Sequence, residues 1–350
     1  MNYQKNDQCY ILEQMQNLLS IPSPSGMTRE AAAYLMGELS RLGFQPWQMR
    51  KGTVVCELGG TGHGVLLSAH VDTLGAIVRA VKPNGRLRYS QLGGYNDNAI
   101  ENENVCIHTR DGKRFTGTVQ SVHASRHVWG DISGEKRDDQ SLEVVLDEET
   151  SSKAETEALG IGAGDIISFD PRFVVTEKGY IKSRFLDDKA SAAVLLGVAR
   201  AVREGTIHPG RRVVLAFTVY EEEGHGASAL QQLDVEDLLA VDMGCVGDDL
   251  NCTETQVSIC AKDSAGPYDW SLTNDLIARS RQLGLDYAVD IYPRYSSDTA
   301  TALKAGLDVR FALCGQGVFA SHGYERTHVK GVMNTFRLVC DVASRVSAED

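Results

Sequence analysis

The chain has 350 residues and a formal net charge of −12. That length suits one large domain carrying a smaller inserted one. The acidic balance, with no block of Lys or Arg, excludes a phosphate-backbone binder, so no nucleic-acid partner is expected. No stretch reaches the roughly 18 apolar residues of a membrane-spanning helix, and MNYQKNDQCY lacks an apolar signal core, so a cytoplasmic protein without a membrane partner is expected. None of the eight cysteines stands in a CxxC pair, which points to reduced, buried thiols rather than thiolate zinc sites.

In chain order, the apolar spacing of Tyr10 to Leu19 predicts a helix. The turn signal IPSPSG follows, and then a helix from Arg29 to Leu42 with Thr28 as its cap. TVVCEL and GVLLSAHVD read as strands, the second a buried, β-branched run that delivers polar residues at its C-terminal end. From about Gly75 to Phe173 the pattern changes to short alternating segments broken by glycine, which predicts a small β-barrel or sandwich. Its last segment, Gly160 to Phe169, alternates like an edge strand after a glycine-rich turn. Beyond Gly179 helix and strand alternate again: DDKASAAVLLGVARAV as helix, RRVVLAFTVY and LLAVDMG as strands. The predicted fold class is α/β, a mostly parallel sheet flanked by helices, with residues 1–74 and 174–350 as the main domain and 75–173 inserted.

Five clusters of potential metal ligands fall at or just after predicted strand ends, where α/β sheets form their ligand crevices. In His70-Val-Asp72, residues two apart on a strand share a face, so Asp72 can orient the imidazole while the other ring nitrogen binds a metal. Asp187-Asp188 opens a helix and reads either as a cap or as a carboxylate bridging two cations, with its neighbour in support. Glu221-Glu222-Glu223 follows an apolar strand, where like charges repel unless a cation or solvent compensates them. Asp242 ends an otherwise apolar strand, where an unpaired carboxylate is costly to bury. His322, in Phe319-Ala-Ser-His-Gly, gains weight only beside the other four clusters. Together the set supplies ligands for two divalent ions roughly 3.5–4 Å apart. Asp187, Asp242, Glu222 and a hydroxide would balance two dications, which leaves Glu221 as the general base that passes a proton from the attacking water to the departing amine.

The motifs SAHVDTLG, GIGAGDIISFDPRF, FLDDKAS, FTVYEEEGHGA, AVDMG and ASHGYERTH occur in an order that resembles the tetrahedral (glutamyl) aminopeptidase family of dinuclear metallopeptidases. The resemblance spans nearly the whole chain. It implies a metallo-aminopeptidase acting on short peptides, with a zinc-peptidase-like α/β domain and an inserted β-barrel through which dimers build a homo-oligomer, in the family a hollow dodecamer. It further implies one metal on His70, Asp187 and Asp242, a second on Asp187, Glu222 and His322, Glu221 as base, and Asp72 behind His70. Zinc is the expected metal, with cobalt and manganese also suited to mixed carboxylate and imidazole ligands.

The chain departs from the family pattern at Thr73, where glutamate is usual, and at Lys189, where arginine is usual. It also adds Glu223 and His225 after the catalytic pair. HVWGD, RYSSDTATAL and ASHGYERTH resemble a narrower subgroup associated with the N-acetylglutaminylglutamine amide osmoprotectant. Because that dipeptide has a blocked amine and an amidated end, a precursor or a deacetylated form is the more consistent substrate. Asp298 reads equally as a residue near the substrate and as a helix cap. The rival readings are a carboxypeptidase or N-deacylase of the same clan, and a scaffold that has lost its chemistry. Motif order weighs against the first, because the β-rich insertion lies between Asp72 and Asp187, and the complete ligand set weighs against the second.

Overall fold

The protein is described from a computed structural model, which covers residues 5–130 and 133–345. Asp131, the last residue of HVWGD, lies outside the described residues. The chain divides into two compact units: Met1–Asp72 with Arg172–Asp350, and Thr73–Pro171.

In the first unit the strands Val65–His70, Val213–Thr218 and Asp237–Val241 are buried at every residue. Such apolar runs require cover on both faces of a sheet. Val213–Thr218 runs parallel to Val65–His70, which runs parallel to Asp237–Val241, which in turn runs parallel to Arg310–Phe319. Antiparallel strands extend this centre on both sides, Val54–Gly59 next to Val213–Thr218 and Glu325–His328 next to Arg310–Phe319. The sheet is therefore mixed, with its parallel part in the middle.

Helices flank it. Leu186–Arg203 packs so closely against its neighbours that a Cβ on Gly197 would stand 2.8 Å from Ile11 and 3.3 Å from Phe336. A separate apolar layer brings Ala227, Leu230 and Ala302 onto Leu66, Val214, Ala216 and Leu238. Because the central strands are parallel, their C-terminal ends share one edge, which sets His70, Thr218 and Val241 side by side and delivers the residues that follow them to one place.

Two local expectations are corrected. Thr28 precedes the helix Arg29–Arg41 but makes no side-chain cap hydrogen bond; its carbonyl accepts from Ala32 N–H at 3.0 Å instead. The segment expected as an edge strand, seen as Ile166–Phe169, pairs with Gly75–Val81 on one side and Asn104–His108 on the other. With partners on both sides, Ile167, Ser168 and Phe169 are all buried.

The second unit is a closed six-stranded barrel in the order Gly75–Val81, Leu87–Leu92, Leu142–Leu146, Arg114–Ser121, Asn104–His108, Ile166–Phe169. Its interior is filled by Leu87, Tyr89, Ile107, Val119, Val144 and Ile167. The short helix Lys153–Ala158 is fixed by a capping box between Ser152 and Glu155. No helix among the described residues is long and apolar enough to cross a membrane.

Candidate metal centre

His70, Asp72, Asp187, Glu221, Glu222, Asp242 and His322 all belong to the first unit, and the structure brings them together. Asp187 stands at the centre. Its Oδ1 lies 2.9 Å from His70 Nε2 and its Oδ2 lies 3.3 Å from His322 Nε2, so each oxygen faces a different imidazole. Glu221 Oε2 is 3.7 Å from His70 Nε2, and Glu222 Oε2 is 3.7 Å from His322 Nε2. Two sets of donor atoms gather within 4.8 Å of one another: His70, Asp187 and Glu222, and His70, Asp188 and Asp242. Asp188 thus enters the cluster as well as supporting it, with Oδ2 accepting from the His70 amide at 3.3 Å.

The regular helix begins only after the Asp187-Asp188 pair, and Asp188 bonds the Ser191 side chain in its first turn. Phe185 just before the pair is left-handed, and both acids have non-helical backbone angles. Left-handed, non-glycine residues recur around the cluster at Phe185, Tyr220, Ala320 and His322. Each costs on the order of 1–2 kcal/mol, and such strain persists where surrounding contacts overdetermine the turn.

Asp72 does more than the sequence suggests. His70 Nδ1 is 3.0 Å from the backbone carbonyl of Asp72, while the nearest carboxylate oxygen of Asp72 is 3.7 Å away. The carboxylate instead accepts the amide N–H groups of Glu221 and Glu222 at 3.1 and 3.3 Å, and the Ser25 hydroxyl at 2.6 Å. The strand therefore orients the imidazole through its backbone and fixes the acidic turn through its side chain. Ser25 comes from the IPSPSG turn, which is itself held by the fully buried Lys189, whose Nζ donates to Leu18 O and Ile21 O at 2.9 and 2.6 Å.

Asp298 holds the other end of that turn. Ser297 is the helix cap, with its side chain accepting from Thr299 N–H, while buried Asp298 accepts from the Thr218 hydroxyl and, at 2.8 Å, from Ala227 N–H. A Cβ on Gly226 would sit 2.3 Å from Asp298 Oδ1, so only glycine fits there. Of the residues at which the chain departs from the family pattern, Glu223 and His225 are exposed, the His225 ring stacking on Tyr220 at 4.9 Å, and Thr73 is buried in the second unit.

The electrostatics follow from crowding acids in a buried place. Burial raises Asp187, but the imidazoles of His322 and His70 outweigh it and hold its carboxyl well below the usual range. Burial and then the Asp187 charge push Glu222 up to about 8 and Asp242 up to about 7. Glu221 and Asp188 are raised by burial first, then by neighbouring acids against the pull of His70. His70 loses basicity to burial but gains more from Asp187, Glu221 and Asp72, and ends well above its ordinary value. Asp188 Oδ1 and Glu222 Oε1 are buried with no hydrogen-bond partner. Mutually repelling carboxylates, two imidazoles and unpartnered buried oxygens form a donor set that fits divalent cations.

These shifts predict a pH trend for metal-free protein. Glu222 and Asp242 titrate in the folded state far above the roughly 4 of an unfolded carboxylate. Between about pH 5 and 8 the folded protein holds protons the unfolded chain has released, so stability falls as pH rises through that window. Raised His70 adds in the same direction, whereas depressed Asp187 contributes stability that is lost only below about pH 4. Calorimetry of chelated protein is expected to show Tm falling by on the order of 5 °C across the window, with a divalent cation removing the trend. A metal-free Tm that rises with pH there would contradict it.

The chain is similar to known aminopeptidases in sequence and in fold. YhfE of Bacillus subtilis (strain 168) is 40% identical over 330 residues, covering 94% of this chain and 95% of that protein. A TET aminopeptidase from the marine sediment archaeon Thaumarchaeota archaeon SCGC AB-539-E09 superposes with a TM-score of 0.88 at 20% identity, over 97% of this chain and 98% of its own. Pyrococcus horikoshii TET1 peptidase, which can assemble into a tetrahedron or a large octahedral shell, superposes at 0.83 and 20% identity, over 95% of this chain and 99% of its own. The family model for M42 glutamyl aminopeptidase matches residues 52–338, and with it the chain belongs to the M42 aminopeptidases, hydrolases of peptide bonds.

Proposed function

We propose that the protein is a dinuclear-metal aminopeptidase that removes N-terminal residues from short peptides. The observation that carries this reading is Asp187, with one carboxylate oxygen on each of two imidazoles. His70, Asp187 and Asp242 would hold one ion, and Asp187, Glu222 and His322 the other, with zinc first and cobalt or manganese as alternatives. When bound, such ions supply Lewis acidity, lowering the pKa of water and polarising the scissile carbonyl. Glu221 accepts the proton of the attacking water on its carboxylate and returns it to the departing amine nitrogen. Its amide and that of Glu222 are pinned on Asp72, so the base and the neighbouring ligand move as one unit. Ser25, Lys189 and Asp298 keep that unit in place.

The barrel unit serves as the dimerisation domain of a homo-oligomer, a reading supported by the assembling Pyrococcus horikoshii relative. A cytoplasmic site is consistent with the absence of a disulfide among the described residues. The substrate is a peptide with a free amine, and within osmoprotectant metabolism it would be a precursor of the blocked dipeptide rather than the dipeptide itself. A panel of free-amine, N-acetylated and C-amidated glutamine dipeptides, assayed after metal reconstitution, tests this. Release of the N-terminal residue from free-amine members alone is the expected result. Cleavage confined to the acylated members would assign a deacylase instead.

A further inference from the structure

Glu325 is a carboxylate that the chemistry above leaves unused, yet it is 1% exposed and sits against two of the ligands. It opens the strand Glu325–His328, three residues beyond His322. Its Oε2 accepts the amide N–H of Asp187 at 3.1 Å and its Oε1 accepts the amide N–H of His322 at 3.0 Å. Those amides belong to separate segments, the start of the helix Leu186–Arg203 and the left-handed turn at His322. Their side chains meet 3.3 Å apart, at Asp187 Oδ2 and His322 Nε2.

We infer that Glu325 is a positioning residue that sets the separation of Asp187 and His322, and so the affinity of the second cation held between them and Glu222. This rests on the dinuclear reading above. The chemistry is specific, because the task needs two acceptor oxygens on one planar group, each facing an N–H. Glutamine keeps the shape but turns one acceptor into an NH2 donor that confronts a second donor. A buried amide left without its acceptor then shifts the backbone that carries the ligand. Partners placed behind metal ligands commonly alter affinity by about 10–100-fold. The bland reading is that Glu325 merely ties down a loop. The same strand carries a second tether that tests it, Arg326 Nε on Glu254 Oε1 at 3.1 Å, which touches neither ligand.

The experiment is a titration of metal-free full-length protein with Co2+, followed by calorimetry and by the visible bands of bound cobalt, for native protein, Glu325→Gln and Glu254→Gln. The expected result is two ions bound by the native chain. Glu325→Gln should bind the second ion at least about tenfold more weakly and weaken the first, which shares Asp187 but not His322, by less, with excess Co2+ restoring most of kcat. Glu254→Gln should bind both ions as the native chain does. Native-like second-ion affinity in Glu325→Gln overturns the inference, as does an equal weakening in Glu254→Gln. If Glu325→Gln does not fold, Glu325→Asp takes its place under the same criteria, since its shorter stem cannot reach both amides. Failure of the native chain to bind a second ion would instead overturn the dinuclear reading.

Discussion

Glu221→Gln is expected to lower kcat by about 10²–10⁴-fold, the range associated with a positioned general base, while the metal content stays at the native value. The side chain is nearly isosteric, and the amide that binds Asp72 Oδ1 belongs to the backbone, so the turn keeps its anchor. What disappears is the ability to take up a proton. Burial, and then Asp298, Asp242 and Glu222, raise the Glu221 carboxyl well above its ordinary value against the opposing charge of His70. That direction moves a carboxylate toward the pH at which it must both accept and release a proton. KM should change little, because the substitution removes an interaction made in the transition state rather than in binding. Parallel measurements of steady-state rates and of metal by mass spectrometry check both halves. Retention of more than about a tenth of the native kcat would transfer the base role elsewhere.

Much of this arrangement could be read from the chain because its signals are local and strong. Buried β-branched runs ending in His70, Asp242 and the Glu221-Glu222 pair announce strands that terminate in polar residues, and parallel packing then collects those ends. The contributions that escaped are long-range. Glu325 reads in sequence as an ordinary charge beside Arg326, and only the pairing of its strand with Tyr180–Ser183 and Arg310–Phe319 carries it to the amides of Asp187 and His322. Ser25 looks like turn chemistry, yet it reaches across 47 positions to Asp72. The tandem Ser297-Asp298 hid the fact that the first residue is the cap and the second a buried anchor. The two-sided pairing of Ile166–Phe169 escaped for a related reason, because the sequence pattern of a short strand is the same whether it lies at an edge or between two partners. The second task of Asp72 has a geometric origin. Its side chain shares a face with His70 as expected, but the amides of the acidic turn lie closer to the carboxylate than the ring does.

Asp187→Asn is expected to abolish binding of both ions rather than one, and with it activity by more than about 10³-fold. Each Asp187 oxygen faces one imidazole, so the residue belongs to both halves of the cluster. An amide offers a single acceptor oxygen and places an NH2 against the other imidazole. It also removes the charge that holds His70 basic and that opposes Glu222 and Asp242. Those two acids then lose a repelling neighbour, but His70 and His322 lose the carboxylate paired with them, so metal-free Asp187→Asn should be no more stable than metal-free native protein above about pH 4, and it no longer gains stability from cations. Thermal unfolding with and without Zn2+ separates the effects: the native chain gains Tm on saturation, and the variant does not. Loss of a single ion, with the other bound at native affinity, would show that Asp187 serves one site only.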